Sequence, residues 1–107
     1  MQRVTIVRYT TKPGRADENE RLSRAVFDEL NAKGAKGLAY GLFRDGEDFL
    51  HLFVNFAADD AAALTELPSF KAFVADGAQR WVAPPEQVRT AMSLVRAYGF
   101  DEAMAPA

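Results

Sequence analysis

The chain has 107 residues, 49% of them hydrophobic and 26% charged, which is the composition of a globular domain with a core of its own. A formal net charge of −2 argues against nucleic-acid binding, and the absence of cysteine excludes disulfides, thiolate metal sites and cysteine nucleophiles. The single histidine argues against a transition-metal site. With no leader-like segment and no apolar run of about 20 residues, we expect a cytoplasmic protein that does not bind a membrane.

Residues 3–12 are rich in β-branched and aromatic side chains and predict a strand, which Pro13-Gly14 ends. Residues 16–33 predict a helix, and Gly34 follows it as a residue suited to a left-handed helix end. The apolar stripe of this helix consists of Leu22, Val26, Phe27 and Leu30.

Residues 37–44 and 49–56 predict two strands joined at Asp45-Gly46, a strong hairpin signal. With these two residues as the loop, Tyr40 pairs with His51 and Leu42 pairs with Phe49. Side-chain alternation then gives the hairpin two faces. We assign the purely apolar face to the helices and expect the face with a few polar groups to be left bare by this chain. The apolar face carries Gly37, Ala39, Gly41, Phe43, Leu50, Leu52, Val54 and Phe56, and the other carries Leu38, Tyr40, Leu42, Phe49, His51, Phe53 and Asn55.

The second half of the chain predicts helices followed by a strand. Asp59-Asp60 indicates the start of a short helix running to about Leu67, where Pro68 interrupts it. Residues 68–82 keep apolar side chains at the three-four spacing of a helix, and residues 88–100 predict the last strand. We therefore expect a single domain over residues 1–100 and a flexible C-terminal tail over residues 101–107.

The order strand, helix, strand, strand, helix, strand predicts an α+β fold of the ferredoxin-like βαββαβ kind, with an antiparallel sheet and its helices on one face. The bare face includes Leu38, Leu42, Phe49 and Phe53, which is more contiguous apolar surface than a monomer normally exposes. We therefore expect this face to be buried against a second copy in a homodimer, so that the two sheets close a barrel around a small-molecule pocket.

The element order, the strand ending in Lys12-Pro13-Gly14, the hairpin and the segment LPSFKAFVADGAQRW resemble the dimeric α/β-barrel superfamily. The similarity is greatest to the antibiotic biosynthesis monooxygenase domain, and it extends from about Val4 to Phe100. The resemblance implies a dimeric α/β barrel. It leaves the activity open, because the superfamily includes cofactor-free quinone-forming monooxygenases, heme-degrading enzymes, small isomerases and members with no known activity.

The heme-degrading branch of the superfamily needs an Asn in the first strand, then a Trp and a His in the second helical region. The matching positions in this sequence are Val7, Leu64 and Val74, and all three depart from that pattern. The resemblance therefore argues against heme, and we expect no cofactor.

His51 is the candidate catalytic base, since it is the only side chain here whose unperturbed pKa suits proton transfer near neutrality. Tyr40 and Asn55 share its face and could donate hydrogen bonds to a substrate oxyanion. Tyr9 joins them if the odd positions of the first strand face the same way. Substrate-binding candidates beside them are the apolar Leu38, Phe49 and Phe53. The competing interpretations are a buried histidine satisfied by Tyr40 or by a backbone carbonyl, and a polar network at the dimer seam.

These residues favour a small-molecule-binding dimer, with cofactor-independent monooxygenation of a phenolic or polyketide-like substrate as the activity considered first. In that reaction a base removes an acidic proton, and the electron-rich anion reacts with oxygen directly. The same side chains could serve an isomerase that moves a proton within a lactone or enone. A non-catalytic ligand-binding or structural dimer is the alternative from a different class.

Overall fold

The order of strands and helices follows the prediction. A computed structural model describes residues 2–56 and 62–99 of the chain. The predicted tail over residues 101–107 and the predicted helix start at Asp59-Asp60 lie outside the described residues. The elements are β1 (Gln2–Thr10), α1 (Ala16–Lys33), β2 (Leu38–Asp45), β3 (Asp48–Asn55), α2 (Ala62–Thr65), α3 (Pro68–Ala75), α4 (Gly77–Arg80) and β4 (Glu86–Met92).

The four strands form one antiparallel sheet in the order β2-β3-β1-β4, which is the ferredoxin-like arrangement. Helix α1 ends at Gly34, whose φ of 62° places it in the left-handed conformation. Helix α3 is tied to α1 by Glu29, whose carboxylate accepts hydrogen bonds from the backbone N–H and the hydroxyl of Ser69. The predicted fold class is confirmed.

The helices cover the face of the sheet opposite to the predicted one. The core cluster joins Tyr9, Phe49 and Phe53 of the sheet to Val26 of α1 and Phe73 of α3. His51 shares this inner face, so the predicted bare face is covered within the chain, and the predicted dimer interface of Leu38, Leu42, Phe49 and Phe53 is wrong. The outer face instead carries the residues assigned to the helices, among them Phe43, Leu50, Leu52 and Val54.

The face that the helices cover is determined by helix α1 as much as by the sheet. Both faces of the hairpin are apolar enough to bury, so side-chain alternation alone could not choose between them. Helix α1, however, buries Asn19 and Ser23 along with Val26. Buried polar groups need hydrogen-bond partners, and the Tyr9 hydroxyl on this face accepts from the Asn19 amide, which the aliphatic hairpin residues of the other face could not do.

The hairpin register differs from the predicted one by two residues. Asp45 pairs with Asp48, which makes Gly46 and Glu47 the turn, and Tyr40 pairs with Phe53. Gly46 has a φ of 61°, while no described non-glycine residue has a positive φ. A turn with glycine first and an ordinary residue second fits these values, whereas a turn centred on Asp45-Gly46 would need positive φ at Asp45 as well. A shift of two residues leaves the faces unchanged.

The second helical region and the last strand are shorter than predicted. The predicted helix over residues 68–82 is two helices separated at Asp76, and Trp81 leaves the helix to form an isolated β-bridge with Thr11. At Gly77 an added Cβ would lie 2.3 Å from the Trp81 ring, so this glycine allows the indole to pack on the helix. The last strand ends at Met92, which pairs with Gln2, the first described residue of β1.

Candidate functional site

A cavity of about 320 Å³ lies between the inner face of the sheet and the helical region. Its walls are largely aromatic and aliphatic, and its polar groups come mainly from the sheet, as in many small-molecule sites. The sheet contributes Thr5, Val7, Tyr9, Tyr40, His51, Phe53, Gln87 and Arg89, and the helical region and its flanks contribute Leu64, Thr65, Phe70, Phe73, Val74, Trp81 and Pro85.

The structure brings four of the seven predicted site residues to this cavity, namely Tyr9, Tyr40, His51 and Phe53. The other three, Leu38, Phe49 and Asn55, lie on the same sheet face but do not line the cavity. The prediction that His51 faces a space between two sheets is wrong, because its ring packs within 5.5 Å of the Phe73 ring on α3 of the same chain. The catalytic and substrate-binding roles of all seven stay predictions.

His51 lies between two phenols. The Tyr9 hydroxyl is 2.7 Å from its Nε2, and the Tyr40 hydroxyl is 2.8 Å from its Nδ1. The side chain is 5% exposed, and burial lowers the pKa of His51 from 6.5 to about 4. The imidazole is therefore neutral at physiological pH, with one ring nitrogen donating a hydrogen bond and the other accepting one.

This environment makes His51 a weak direct base. Both ring nitrogens are already occupied by hydroxyls, and a proton taken from a substrate would create a buried imidazolium whose pKa is far below neutrality. Burial also raises the pKa of both tyrosines, that of Tyr9 to about 12, so both phenols stay protonated. The cluster is therefore better suited to donating a hydrogen bond into the cavity than to removing a proton from its contents.

The hydrogen bonds continue from Tyr9 into α1 and α4. Asn19 Nδ2 donates to the Tyr9 hydroxyl at 2.8 Å. Asn19 Oδ1 in turn accepts from Arg80 Nε at 3.1 Å and from Trp81 Nε1 at 3.0 Å. Five side chains from strands and helices that are distant in the sequence are thus joined to the histidine through one chain of contacts.

Arg80 is the least expected member of this network. Its side chain has no exposed surface, and its guanidinium lies 5.2 Å from the centre of the Phe73 ring and 5.5 Å from that of Trp81. Nη2 donates to the Phe73 carbonyl, while Nη1 has no hydrogen-bond partner among the described residues. A buried positive charge therefore lies behind the Asn19 amide.

Sequence reasoning overlooked Asn19 and Arg80, although both carry a detectable signal. Counting back from Leu30 and Val26 at helical spacing leads to Ser23 and Asn19, so the polar pair continues the apolar stripe. Phe73, Gly77 and Arg80 follow the same spacing in the second helical region, and all three are buried. A polar residue that continues an apolar stripe is the feature that would have identified them.

The three positions compared with the heme-degrading pattern, Val7, Leu64 and Val74, all line the cavity with apolar side chains. Among residues 2–56 and 62–99 no three His, Asp or Glu side chains come together in a way that could hold a metal ion. Within the same ranges, every helix is too short or too polar to cross a membrane.

No family model matches the chain, and no curated protein matches its sequence. Solved structures do match. The protein named "Putative antibiotic biosynthesis monooxygenase" from Nitrosomonas europaea aligns with a TM-score of 0.70 at 17% identity, over 85% of this chain and 89% of its own. Proteins of the same name from Chloroflexus aurantiacus and Caulobacter crescentus give TM-scores of 0.68 and 0.67 at 17% and 18% identity. They cover 92% and 86% of this chain and 100% and 91% of their own. The fold is therefore that of antibiotic biosynthesis monooxygenase domains, as the sequence resemblance implied.

Proposed function

We propose that this chain binds a planar aromatic molecule with a phenolic or enolic oxygen in the cavity between its sheet and helices. We further propose that it acts on that molecule as a cofactor-independent monooxygenase. The observation that carries the proposal is the Tyr9–His51–Tyr40 cluster set in a largely apolar, aromatic lining. A flat ring can pack against Phe70, Phe73 and Trp81 while its oxygen reaches the cluster.

The proposed chemistry needs an electron-rich anion, and the site favours one. Tyr40 can donate a hydrogen bond to the ligand oxygen, and Arg89 of β4, a cation, also lines the cavity. Donors fixed in a low-dielectric site stabilise developing negative charge more than water does. The bound phenol or enol therefore loses its proton to solvent more readily, so that His51 is not needed as the base.

The reaction balances without an external reductant. The anion of an anthrone-like substrate reacts with O₂ at the carbon that is the ring CH₂ group of the neutral molecule. One oxygen atom becomes the new carbonyl, and the other leaves as water. The two C–H bonds lost at that carbon supply the electrons, so the substrate is oxidised and dioxygen is reduced. The chain's own residues bind the ring, orient its oxygen and stabilise the anion.

One observation favours a second function, which is ligand binding without catalysis. Both nitrogens of His51 are satisfied by tyrosine hydroxyls and its pKa is low, as expected of a site that binds a ligand without transforming it. Turnover separates the two functions.

We expect phenols and anthrones added to the protein to quench the fluorescence of Trp81, since it is the chain's only tryptophan and lines the cavity. Among the anthrone-like compounds that bind, we expect oxygen uptake above the rate without protein, with one O₂ consumed for each quinone formed. An oxygen electrode and absorbance of the quinone measure this. Binding without oxygen uptake would favour the ligand-binding function, and the absence of any quenching would contradict both.

We also propose a homodimer formed through the outer face of the sheet. This face carries half-buried Val4, Ile6, Leu50 and Leu52 in neighbouring strands. Large apolar side chains at its margins are exposed, and two such faces packed together would form the barrel that the resemblance implies. The exposed residues are Phe43 at 58%, Val88 at 61% and Met92 at 59%.

Leu52→Asp is expected to convert the dimer into a monomer that keeps its fold, because a carboxylate at the centre of the buried face would lose its water without gaining a partner. Light scattering after size exclusion measures the mass, and circular dichroism checks the fold. Ala75→Asp, at an exposed position on α3, adds the same charge away from the sheet and should remain a dimer. A wild-type monomer at micromolar concentration, or a dimeric Leu52→Asp variant, would contradict the proposal.

A further inference from the structure

We propose that Asn19 is a positioning residue that sets the direction of the hydrogen bonds through Tyr9 and His51, so that Tyr40 presents its proton to the cavity. The ligand class that follows is one with an oxygen that accepts this hydrogen bond, a phenolate, an enolate or a carbonyl. The ligand class rests on the proposed function, whereas the direction of the hydrogen bonds through Tyr9 and His51 does not.

The orientation of the Asn19 amide is fixed by its two donors. The guanidinium of Arg80 and the indole of Trp81 can donate hydrogen bonds but cannot accept them, and both point at one atom of the amide, at 3.1 and 3.0 Å. That atom must be the oxygen Oδ1. The amide nitrogen therefore faces Tyr9 and donates to its hydroxyl at 2.8 Å.

His51 has a tyrosine hydroxyl at each ring nitrogen but can accept a hydrogen bond from only one of them. Each tyrosine could donate to its nitrogen, and a neutral imidazole has a single unprotonated nitrogen. The two phenols therefore compete, and the tyrosine whose O–H is more strongly polarised becomes the donor. A hydroxyl that accepts a hydrogen bond gives up its own proton to the next partner more readily.

Tyr9 has that advantage. Its oxygen accepts from Asn19, and the hydrogen bond from Asn19 and the charge of Arg80 both act to lower the pKa of Tyr9 against the effect of burial. Burial raises the pKa of Tyr40 with no such hydrogen bond to offset it. Tyr9 therefore donates to Nε2, His51 carries its proton on Nδ1 and donates to the Tyr40 oxygen, and the Tyr40 proton is left for a ligand.

The opposite direction is also chemically possible. Tyr9 would then donate to Ser23, the other hydroxyl beside it, whose own proton goes to the backbone carbonyl of Asn19 at 3.0 Å. His51 would carry its proton on Nε2, and Tyr40 would donate to Nδ1 with no proton left for the cavity. The two directions thus differ in one observable, which is the ring nitrogen of His51 that bears hydrogen.

The single histidine of the chain makes that observable accessible. In full-length protein labelled with ¹⁵N-histidine, long-range ¹H–¹⁵N correlations at neutral pH should show the proton on Nδ1. In Asn19→Asp the new carboxylate can only accept, so Tyr9 turns its proton towards it and the His51 proton should move to Nε2. Asn31→Asp adds the same charge at an exposed position of the same helix and should leave the proton on Nδ1.

A wild-type spectrum with the proton on Nε2, or an Asn19→Asp spectrum still showing Nδ1–H, would overturn the inference. If Asn19→Asp does not fold, Ser23→Ala decides: it removes the other acceptor open to the Tyr9 proton and leaves both tyrosines in place, so Nδ1–H should persist, and a move to Nε2–H would contradict the inference. The spectra are recorded without ligand. A failure of the proposed function would therefore appear in the quenching and oxygen assays, separately from the tautomer.

Discussion

Tyr40→Phe is expected to reduce kcat for an anthrone-like substrate by about 10²- to 10³-fold, the effect of removing one preorganised donor from an oxyanion site. The phenylalanine ring keeps the stacking on Phe27, whose centroid is 4.6 Å away, and the edge contact with Phe53 at 5.7 Å. Only the hydroxyl is lost. Because that hydroxyl acts mainly on the anion, KM should change much less than kcat.

Steady-state oxygen uptake measures both constants, with Tyr98→Phe as the matched control. Tyr98 is fully exposed, so the same atom is removed where it touches no ligand. Phenolate binding gives a second measurement that does not depend on turnover: the affinity for 4-nitrophenolate should fall about tenfold or more in Tyr40→Phe, since hydrogen bonds to charged groups are worth about 1.5–3 kcal/mol. Unchanged kcat and unchanged affinity would contradict the role of Tyr40 as the hydrogen-bond donor to the ligand.

The local order of the fold could be predicted from the sequence because each signal is short-range. The helix over residues 16–33 has matching bounds in the structure, and the alternation of the hairpin placed Tyr40, His51, Phe53 and Asn55 on one face. Those assignments depend only on side-chain period, which survives a register shift of two.

The choice of face could not be predicted in the same way, because it depends on what the other layer presents. Leu50, Leu52 and Val54 looked like a core face, and they are apolar enough to be one. The buried Asn19 on α1 argues against them, because its amide donates to the Tyr9 hydroxyl on the opposite face and an aliphatic neighbour would offer no acceptor. A reading that combined the helix stripe with the sheet faces would have made that choice.

In the candidate site, too, the residues set by local sequence could be predicted and those set by contacts between distant elements could not. His51 and its tyrosines were accessible to sequence reasoning because a hairpin and a neighbouring strand bring them together. Arg80 was not, because its contact with Asn19 joins residues 61 positions apart and depends on the break between α3 and α4 that turns Trp81 back onto Thr11. The packing of Trp81 on α4 in turn depends on Gly77, where a larger residue would meet the indole.

The stability of the protein is expected to fall as the pH decreases from about 6.5 to about 4, and His51 should account for about 3–4 kcal/mol of that loss. The folded-state pKa of His51 is about 4 and the ordinary value is 6.5. The unfolded chain therefore binds a proton first as the pH falls, and acid favours unfolding. The two values differ by about 2.5, and each pKa unit corresponds to about 1.4 kcal/mol. The contribution is fully present above pH 6.5 and falls no further below pH 4.

Denaturant unfolding at a series of pH values and fixed protein concentration measures the slope, and His51→Gln separates the histidine from other groups. The amide keeps one donor and one acceptor between Tyr9 and Tyr40 but does not titrate. Glu18, Glu20 and Glu29, whose pKa values are lowered by hydrogen bonds to Arg15, to Arg44 and to Ser69 respectively, titrate in both proteins and cancel in the comparison. The variant should lose the slope between pH 6.5 and 4 that wild type shows. Parallel curves would mean that His51 titrates alike in both states, and that the two tyrosines do not hold it as a buried, neutral ring.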